Sequence, residues 1–295
     1  MRLLGRDRDG GAELSGPIRG ELLGAEHLAE RARALAARQR FAVRPPSKRG
    51  APLLTRLNET RRILAAAHAQ LSTATIEGTD PGPAGEWLLD NYHVVKEHLR
   101  EVHESLPRDY YRELPELSSG PLAGYPRVYE LATTLISHSE ARVGLDNVDL
   151  FVGAFQEVAP LTIGELWAIP AMLRLALLES VRRMTLRTVQ RLEEVEAADR
   201  WVARIHEASE NDASNLGATL RDFVADTPPL TAPFVARFLQ QLRPARGTFP
   251  ALVVLEAWIA EESLSAEEAA ARSTQRLAIT QVVMANTITS LRAIG

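Results

Sequence analysis

Residues 84–107 read AGEWLLDNYHVVKEHLREVHESLP, and this run decides the fold. Leu88, Tyr92, Val95, Leu99, Val102 and Leu106 recur at alternating steps of four and three, the spacing that stacks side chains on one face of an α-helix. Asp90, His93, Glu97, Arg100, Glu101 and Glu104 fall on the other faces, and Pro107 stops the helix. Upstream, a short amphipathic helix carries Leu22, Leu23, Leu28 and Leu35. Arg44-Pro45-Pro46 and Gly50-Ala51-Pro52 break the pattern over 43–52, because proline removes a donor and disfavours helix in the residue before it. A second helix covers about 53–75, and 77–85, rich in proline and glycine, is a loop.

Downstream, Asp109–Leu117 is a short amphipathic turn, and Ser118-Ser119-Gly120-Pro121 is turn chemistry. Tyr125-Pro126 opens a helix with Pro126 at its first position, expected to reach about Val143 and to end on Gly144 as a left-handed cap. A shorter helix follows near 148–158. At Pro160-Leu161-Thr162-Ile163-Gly164-Glu165-Leu166, Thr162 caps, Glu165 closes a capping box, and Leu161 can staple to Leu166. From Thr162 the helical pattern continues to Asn211-Asp212, with a kink expected at Pro170. Arg183, Arg187 and Arg191 recur at i+4 along it, one turn after Glu179, and read as a solvated face. Further helices lie near 213–224, 233–242 and 249–262. The last opens at Ser265, boxed with Glu268, and carries Leu277, Met284, Ile288 and Leu291. No stretch alternates with period two long enough to argue a sheet. The expected fold is all-α: a multi-helix bundle of about ten helices, with one long kinked helix from about Thr162.

A net charge of −4 gives no electrostatic reason to expect nucleic acid, which rewards a basic face. The absence of cysteine removes disulfides, thiolate metal sites and a cysteine nucleophile from consideration. Residues 1–17 carry charges and glycines where an export signal needs an apolar run. The most apolar window, 166–178, is interrupted by Arg174 and is shorter than the ~20 residues that span a bilayer. No membrane span is expected of this chain.

Asp7-Arg8-Asp9 has the form of a metal-holding D-x-D motif but sits in a glycine-rich head with no strand before it. His93, His98 and His103 are spaced by five, so successive rings are rotated by about 140° and cannot converge on one metal. Asp90 and His93 lack the paired Glu-x-x-His motifs of a di-metal bundle. No phosphate loop, G-x-S-x-G or H-E-x-x-H motif is present. The chain shows no catalytic centre and no metal site.

All five tyrosines fall between Tyr92 and Tyr129. Tyr92, Tyr110, Tyr111, Tyr125, Tyr129, Trp87 and Trp167 can be read as amphipathic core residues. A sharper reading is a face for sugars or for another domain, with rings stacking on pyranose faces and Arg112, Arg127, Glu130 and Glu165 directing hydrogen bonds. On that reading the candidate glucan or interdomain contacts are Tyr92, Arg112, Tyr125, Arg127, Tyr129, Glu165 and Trp167.

Three stretches carry a family likeness: GEWLLDNYHVVKEHLREVHESLPRDYYRELPEL (85–117), GPLAGYPRVYELATTLISHSEAR (120–142) and PLTIGELWAIPAMLRLALLESVRR (160–183). Together they resemble the N-terminal region of the bacterial cyclic β-1,2-glucan synthases, as do IRGELLGAEHLAERARALA (18–36) and ANTITSLRAI (285–294). The resemblance runs from about Ile18 to Ile294. It implies a parent enzyme of the inner membrane with a helical N-terminal region, a membrane-embedded transferase domain using UDP-glucose, and a phosphorylase-like C-terminal domain that trims chain length. Only the first part has a counterpart here. UDP-glucose and a divalent metal are therefore expected in the parent's transferase domain, with no cofactor in this chain.

The expected partners are the transferase domain of the same or a neighbouring chain, with β-1,2-glucan as a candidate ligand. The expected location is the cytoplasmic side of the inner membrane, and the isolated chain is expected to be soluble. A free-standing helical adaptor or glucan-binding protein is the alternative. The chain divides into a flexible head at 1–20, a helical unit with the family motifs at 21–211, and C-terminal helices at 212–295, read as truncated at their end.

Overall fold

A computed structural model describes residues 21–42, 51–211, 213–226, 228–243 and 250–294. The head at 1–20 and the proline-rich segment 43–50 lie outside the described residues. The chain is all-α. Its helices are α1 (Ala25–Arg38), α2 (Pro52–Ile76), α3 (Gly82–Ser105), α4 (Arg108–Glu113), α5 (Arg127–His138) and α6 (Leu145–Gln156). Then come α7 (Ile163–Asn211), α8 (Ala213–Asp226), α9 (Ala232–Leu242), α10 (Pro250–Glu262) and α11 (Ala266–Ile294). Two residue pairs form an antiparallel ladder, β1 (Phe41–Ala42) with β2 (Glu116–Leu117), too short to leave a period in the sequence.

The helices form two compact units. One comprises the chain through Leu186 together with Gln281 onward, and the other is Arg187–Thr280. In the first unit α1 packs on α6 and α2 on α3. The seam of α3 is interior: Leu88, Val95, Leu99, Val102 and Leu106 are buried, while Tyr92 is half-buried with its ring stacked on His68 at 4.1 Å. A second buried row, Ala84, Asn91, Val94 and His98, widens that face. His93 stays exposed while His98 is buried, as their rotation around the helix requires.

The second unit is built around aromatic rings that the tyrosine-rich stretch does not foreshadow. Phe223 lies 4.8 Å from Phe238, 5.1 Å from Trp201 and 6.3 Å from Trp258. Asp199 on α7 accepts two hydrogen bonds from Arg237 on α9, at 2.6 and 3.1 Å. Both the Thr162–Glu165 and the Ser265–Glu268 capping boxes form: the hydroxyl accepts from the glutamate N–H, and the carboxylate accepts from the capping residue's N–H. The helix α7 continues through Pro170 to Asn211.

Two expectations are corrected. The helix opened at Tyr125-Pro126 stops at His138, and Gly144 begins α6 in extended geometry. The left-handed residues are Glu140 (φ 51°) and Ala141 (φ 60°), closed by the Ala141 N–H donating to the Ile136 carbonyl in the six-to-one pattern of a Schellman turn. Non-glycine residues are held there from a distance. The Asn286 amide donates to the Glu140 carbonyl, and Ser290 Oγ donates to the Ala141 carbonyl while accepting from the Val143 N–H. The row Arg183, Arg187 and Arg191, expected to be solvated, is half-buried, because apolar neighbours on both sides draw α7 into the core.

By length and composition α11 is, among the described residues, the one helix apolar enough to cross a membrane, with 39% of its most apolar window buried. Met284, Ile288 and Leu291 pack into the first unit, and Arg292 donates to Asn91 on α3. Replacing Ser290 with alanine strips two backbone groups of their partner, and leaving buried polar groups unsatisfied costs ~1–3 kcal/mol. Ser290→Ala should lower the urea midpoint accordingly. An unchanged midpoint would show that the turn holds without α11.

Candidate functional site

The start of α7 is also the start of a buried ion pair. Glu165, placed by its capping box with Thr162, accepts from Arg127 Nε through Oε1 and from Arg127 Nη2 at 2.8 Å through Oε2. Arg127 Nη2 also donates to the Pro160 carbonyl at 2.8 Å, and its guanidinium lies 3.9 Å from the centre of the Phe41 ring. Arg127 is 2% exposed and Glu165 0%, so neither can direct hydrogen bonds to a ligand at the surface. Both side chains bond within the protein. The two residues brace α5 against the start of α7.

The other candidates scatter. Tyr129 is 4% exposed, its phenol is pushed up by burial, and its ring stacks on half-buried Tyr125 at 5.7 Å. Tyr92 lies on α3 against His68, and half-buried Arg112 lies beside a separate hollow with Ala51, Asn58 and Arg108. Trp167 is 78% exposed on the second turn of α7. The seven candidates therefore make two pairs, Arg127 with Glu165 and Tyr125 with Tyr129, and no common surface.

A cleft among the described residues lies elsewhere, between α5 and α7. It encloses about 350 Å3 and is lined by Glu130, Thr133, Thr134, Ile136 and Ser137 from α5 and by Ala176, Glu179, Ser180 and Arg183 from α7. Pro121 and Leu122 close it. Glu130, Thr133 and Ser137 follow i, i+3, i+7, and Ala176, Glu179, Ser180 and Arg183 follow i, i+3, i+4, i+7, so each set is one helical stripe. Those stripes are readable in sequence, but nothing local says that they face each other.

Glu179 is the hub of this cleft. It accepts from Arg56 Nη2 at 2.6 Å and Nε at 3.2 Å, from Arg182 Nη1 at 3.4 Å and from Arg183 Nε at 3.2 Å. Burial alone would raise its carboxyl, but the Arg56 hydrogen bonds and the charges of the three guanidiniums outweigh burial and hold it below its ordinary range. A carboxylate kept ionised in this way has no proton to donate, so Glu179 serves as an anchor. Glu130 is tied by Arg38 at 3.0 Å and by Gln39 at 2.9 Å. Among the described residues no group of three or more histidine, aspartate or glutamate side chains is placed to hold a metal.

Fold and site thus define an all-α protein with a polar cleft braced by buried ion pairs. No family model matches the chain. It is 35% identical over 228 residues to cyclic beta-(1,2)-glucan synthase NdvB of Rhizobium meliloti (strain 1021), a match that covers 74% of this chain and 8% of that protein. The chain is a relative of one region of a cyclic β-1,2-glucan synthase.

Two outcomes follow from the ion pairs. Arg127→Leu leaves Glu165 charged and buried without its partner, a change that costs ~3–5 kcal/mol, and the urea midpoint should drop by that amount. Arg127→Leu combined with Glu165→Leu should recover part of the loss, and equal losses in both would show that the charge is not the cause. Because the folded pKa of Glu179 is depressed, its contribution is complete above the unfolded value of about 4.3 and fades as pH falls through the folded value. Stability measured by urea should therefore fall in acid, and Glu179→Gln should flatten that dependence.

Proposed function

We propose that the chain is a helical accessory segment of a cyclic β-1,2-glucan synthase that docks on the catalytic part of the enzyme and does not itself transfer glucose. The observation that carries this reading is the kinship to a glucan synthase of which the chain spans 8% of the length. Most of that polypeptide lies outside the matched region and is available as a partner. The parent activity on this reading is glucosyl transfer from UDP-glucose to β-1,2-glucan, with UDP-glucose and its divalent metal held in the transferase domain. Docking would keep the chain on the cytoplasmic side of the inner membrane. We read α11 as a packing helix and not a span, because Asn286, Thr287, Ser290 and Arg292 all bond within the protein.

The surface offers a face for such a partner. Ile163 is 75% exposed, Trp167 78%, and Leu166 and Pro170 are exposed beside them, so i, i+3, i+4 and i+7 form one apolar stripe at the start of α7. Exposed apolar stripes of this kind mark interaction surfaces, and tryptophan is enriched at their energetic centres. The Arg127–Glu165 brace lies under the same turn and keeps it rigid.

The tagged chain, co-expressed with a transferase segment of the synthase, should retain that segment on purification. Trp167→Glu should weaken retention at least tenfold, about the 1.4 kcal/mol or more expected of a central anchor, with helical circular dichroism unchanged. Absence of association by the unaltered chain would overturn docking. Turnover of UDP-glucose by the chain alone would overturn the non-catalytic role.

A further inference from the structure

The cleft between α5 and α7 has a hydrogen-bonding polarity that selects a ligand class. Thr133 Oγ1 donates its proton to the Glu130 carbonyl at 3.0 Å, and Ser137 Oγ donates to the Thr134 carbonyl at 2.9 Å. Ser180 Oγ lies 3.3 Å from Thr287 Oγ1, and Thr287 already donates its single proton to the Val283 carbonyl at 2.6 Å. Ser180 must therefore be the donor between them. These three of the four lining hydroxyls spend their protons on protein oxygens, which leaves them as acceptors for a ligand; Thr134 is the fourth. Glu130 adds carboxylate lone pairs from an orientation fixed by Arg38 and Gln39.

Donors are fewer. Arg183 commits Nε to Glu179, which leaves its Nη groups as the forked donor on the cleft wall. Pro121, Leu122, Ile136 and Ala176 supply apolar surface.

This pattern excludes two classes. An inorganic anion is chiefly an acceptor and would meet the Glu130 charge and three hydroxyls whose protons are already committed. A cation would meet Arg183, with Arg56 and Arg182 close behind it on Glu179. A neutral polyol satisfies every element: its hydroxyls donate to Glu130, Thr133, Ser137 and Ser180, accept from Arg183, and place C–H surface on the apolar residues. At about 350 Å3 the cleft is at the lower end of small-molecule sites, which run from ~300 to ~1,000 Å3, so it takes a short saccharide segment and not a whole macrocycle.

We propose that this cleft is a saccharide subsite that holds a short, neutral β-1,2-linked glucose segment. The polyol class follows from the cleft, and the choice of β-1,2-linked glucose rests on the proposed function above. The subsite gives the accessory segment a hold on glucan that involves none of the aromatic residues singled out in sequence.

Saturation-transfer NMR on the full chain tests this with sophorose, the β-1,2-linked glucose disaccharide, beside cellobiose and inorganic phosphate. Sophorose should receive saturation, cellobiose less, and phosphate none. Ser137→Tyr, which fills the cleft from a half-buried position on α5, should weaken sophorose binding at least tenfold. Thr133→Val, which removes one acceptor, should weaken it about threefold to tenfold. No saturation of either sugar by the folded chain overturns the subsite, as does binding unchanged in both variants or binding of phosphate alone. Equal saturation of cellobiose keeps the saccharide subsite and overturns the linkage assignment. The co-purification assay beside the NMR separates the two proposals: an unaltered chain that docks but saturates neither sugar overturns the subsite alone, and one that binds sophorose but does not dock overturns the docking alone.

Discussion

The first unit depends on one carboxylate. Glu165 is fully buried, closes the capping box of α7 and receives the Arg127 guanidinium, so a single side chain both starts one helix and ties it to the start of another. Two buried charges are expensive to desolvate, by several kcal/mol each in practice, and such pairs are poor evidence for net stability. Their physical consequence is specificity. The fork of Arg127 fits Glu165 and the Pro160 carbonyl in one arrangement, and a slip of α5 along α7 would leave these groups unpaired.

That constraint extends to the cleft. From Glu165 to Glu179 is about 21 Å along α7 at 1.5 Å per residue, so a second tie holds α7 in place at the level of the cleft. Glu179 supplies it through Arg56 from α2, while Arg182 and Arg183 neutralise the same carboxylate from its own helix. With Glu179 saturated by guanidinium groups, the cleft's free bonding capacity passes to Glu130, the hydroxyls and the outer nitrogens of Arg183.

Features fixed by neighbours in sequence were legible before the structure. The α3 seam, the two capping boxes and the end of α7 at Asn211 depend on spacings of three and four residues and on local turn chemistry. Features fixed by distant partners were not. The early end of α5 is held by Asn286 and Ser290, and Ser290 lies 149 residues from the carbonyl it satisfies. The half-burial of Arg183 reflects Glu179, whose main partner Arg56 is 123 residues away. The aromatic core of the second unit draws Trp201, Phe223, Phe238 and Trp258 from four helices, so no single window was rich in rings. Within the candidate site, the proximity of Arg127 and Glu165 to aromatic residues was readable, but their burial was not. A charged pair on two helix starts looks the same in sequence whether it faces a ligand or itself.

The residues that carry the family likeness are therefore largely frame. Arg127, Tyr129, Glu165, Leu88 and Val95 are interior, and interior residues identify a fold because few alternatives satisfy the same packing and ion pairs. Beyond the frame lie two features of α7: the exposed Ile163–Trp167 stripe on its first turns and, further along, the cleft wall that ends in half-buried Arg183. The first is apolar and unpaired, as a surface for protein requires. The cleft is polar, with the Thr133 and Ser137 protons of α5 and the Ser180 proton of α7 bonded within the protein and their oxygens left to accept, as a surface for hydroxyl groups requires. Both features depend on the same anchored start of α7. On the proposed reading, in which the chain holds glucan while docked on an enzyme, that coupling is needed, because a loose joint between the two surfaces would let the sugar move independently of the enzyme.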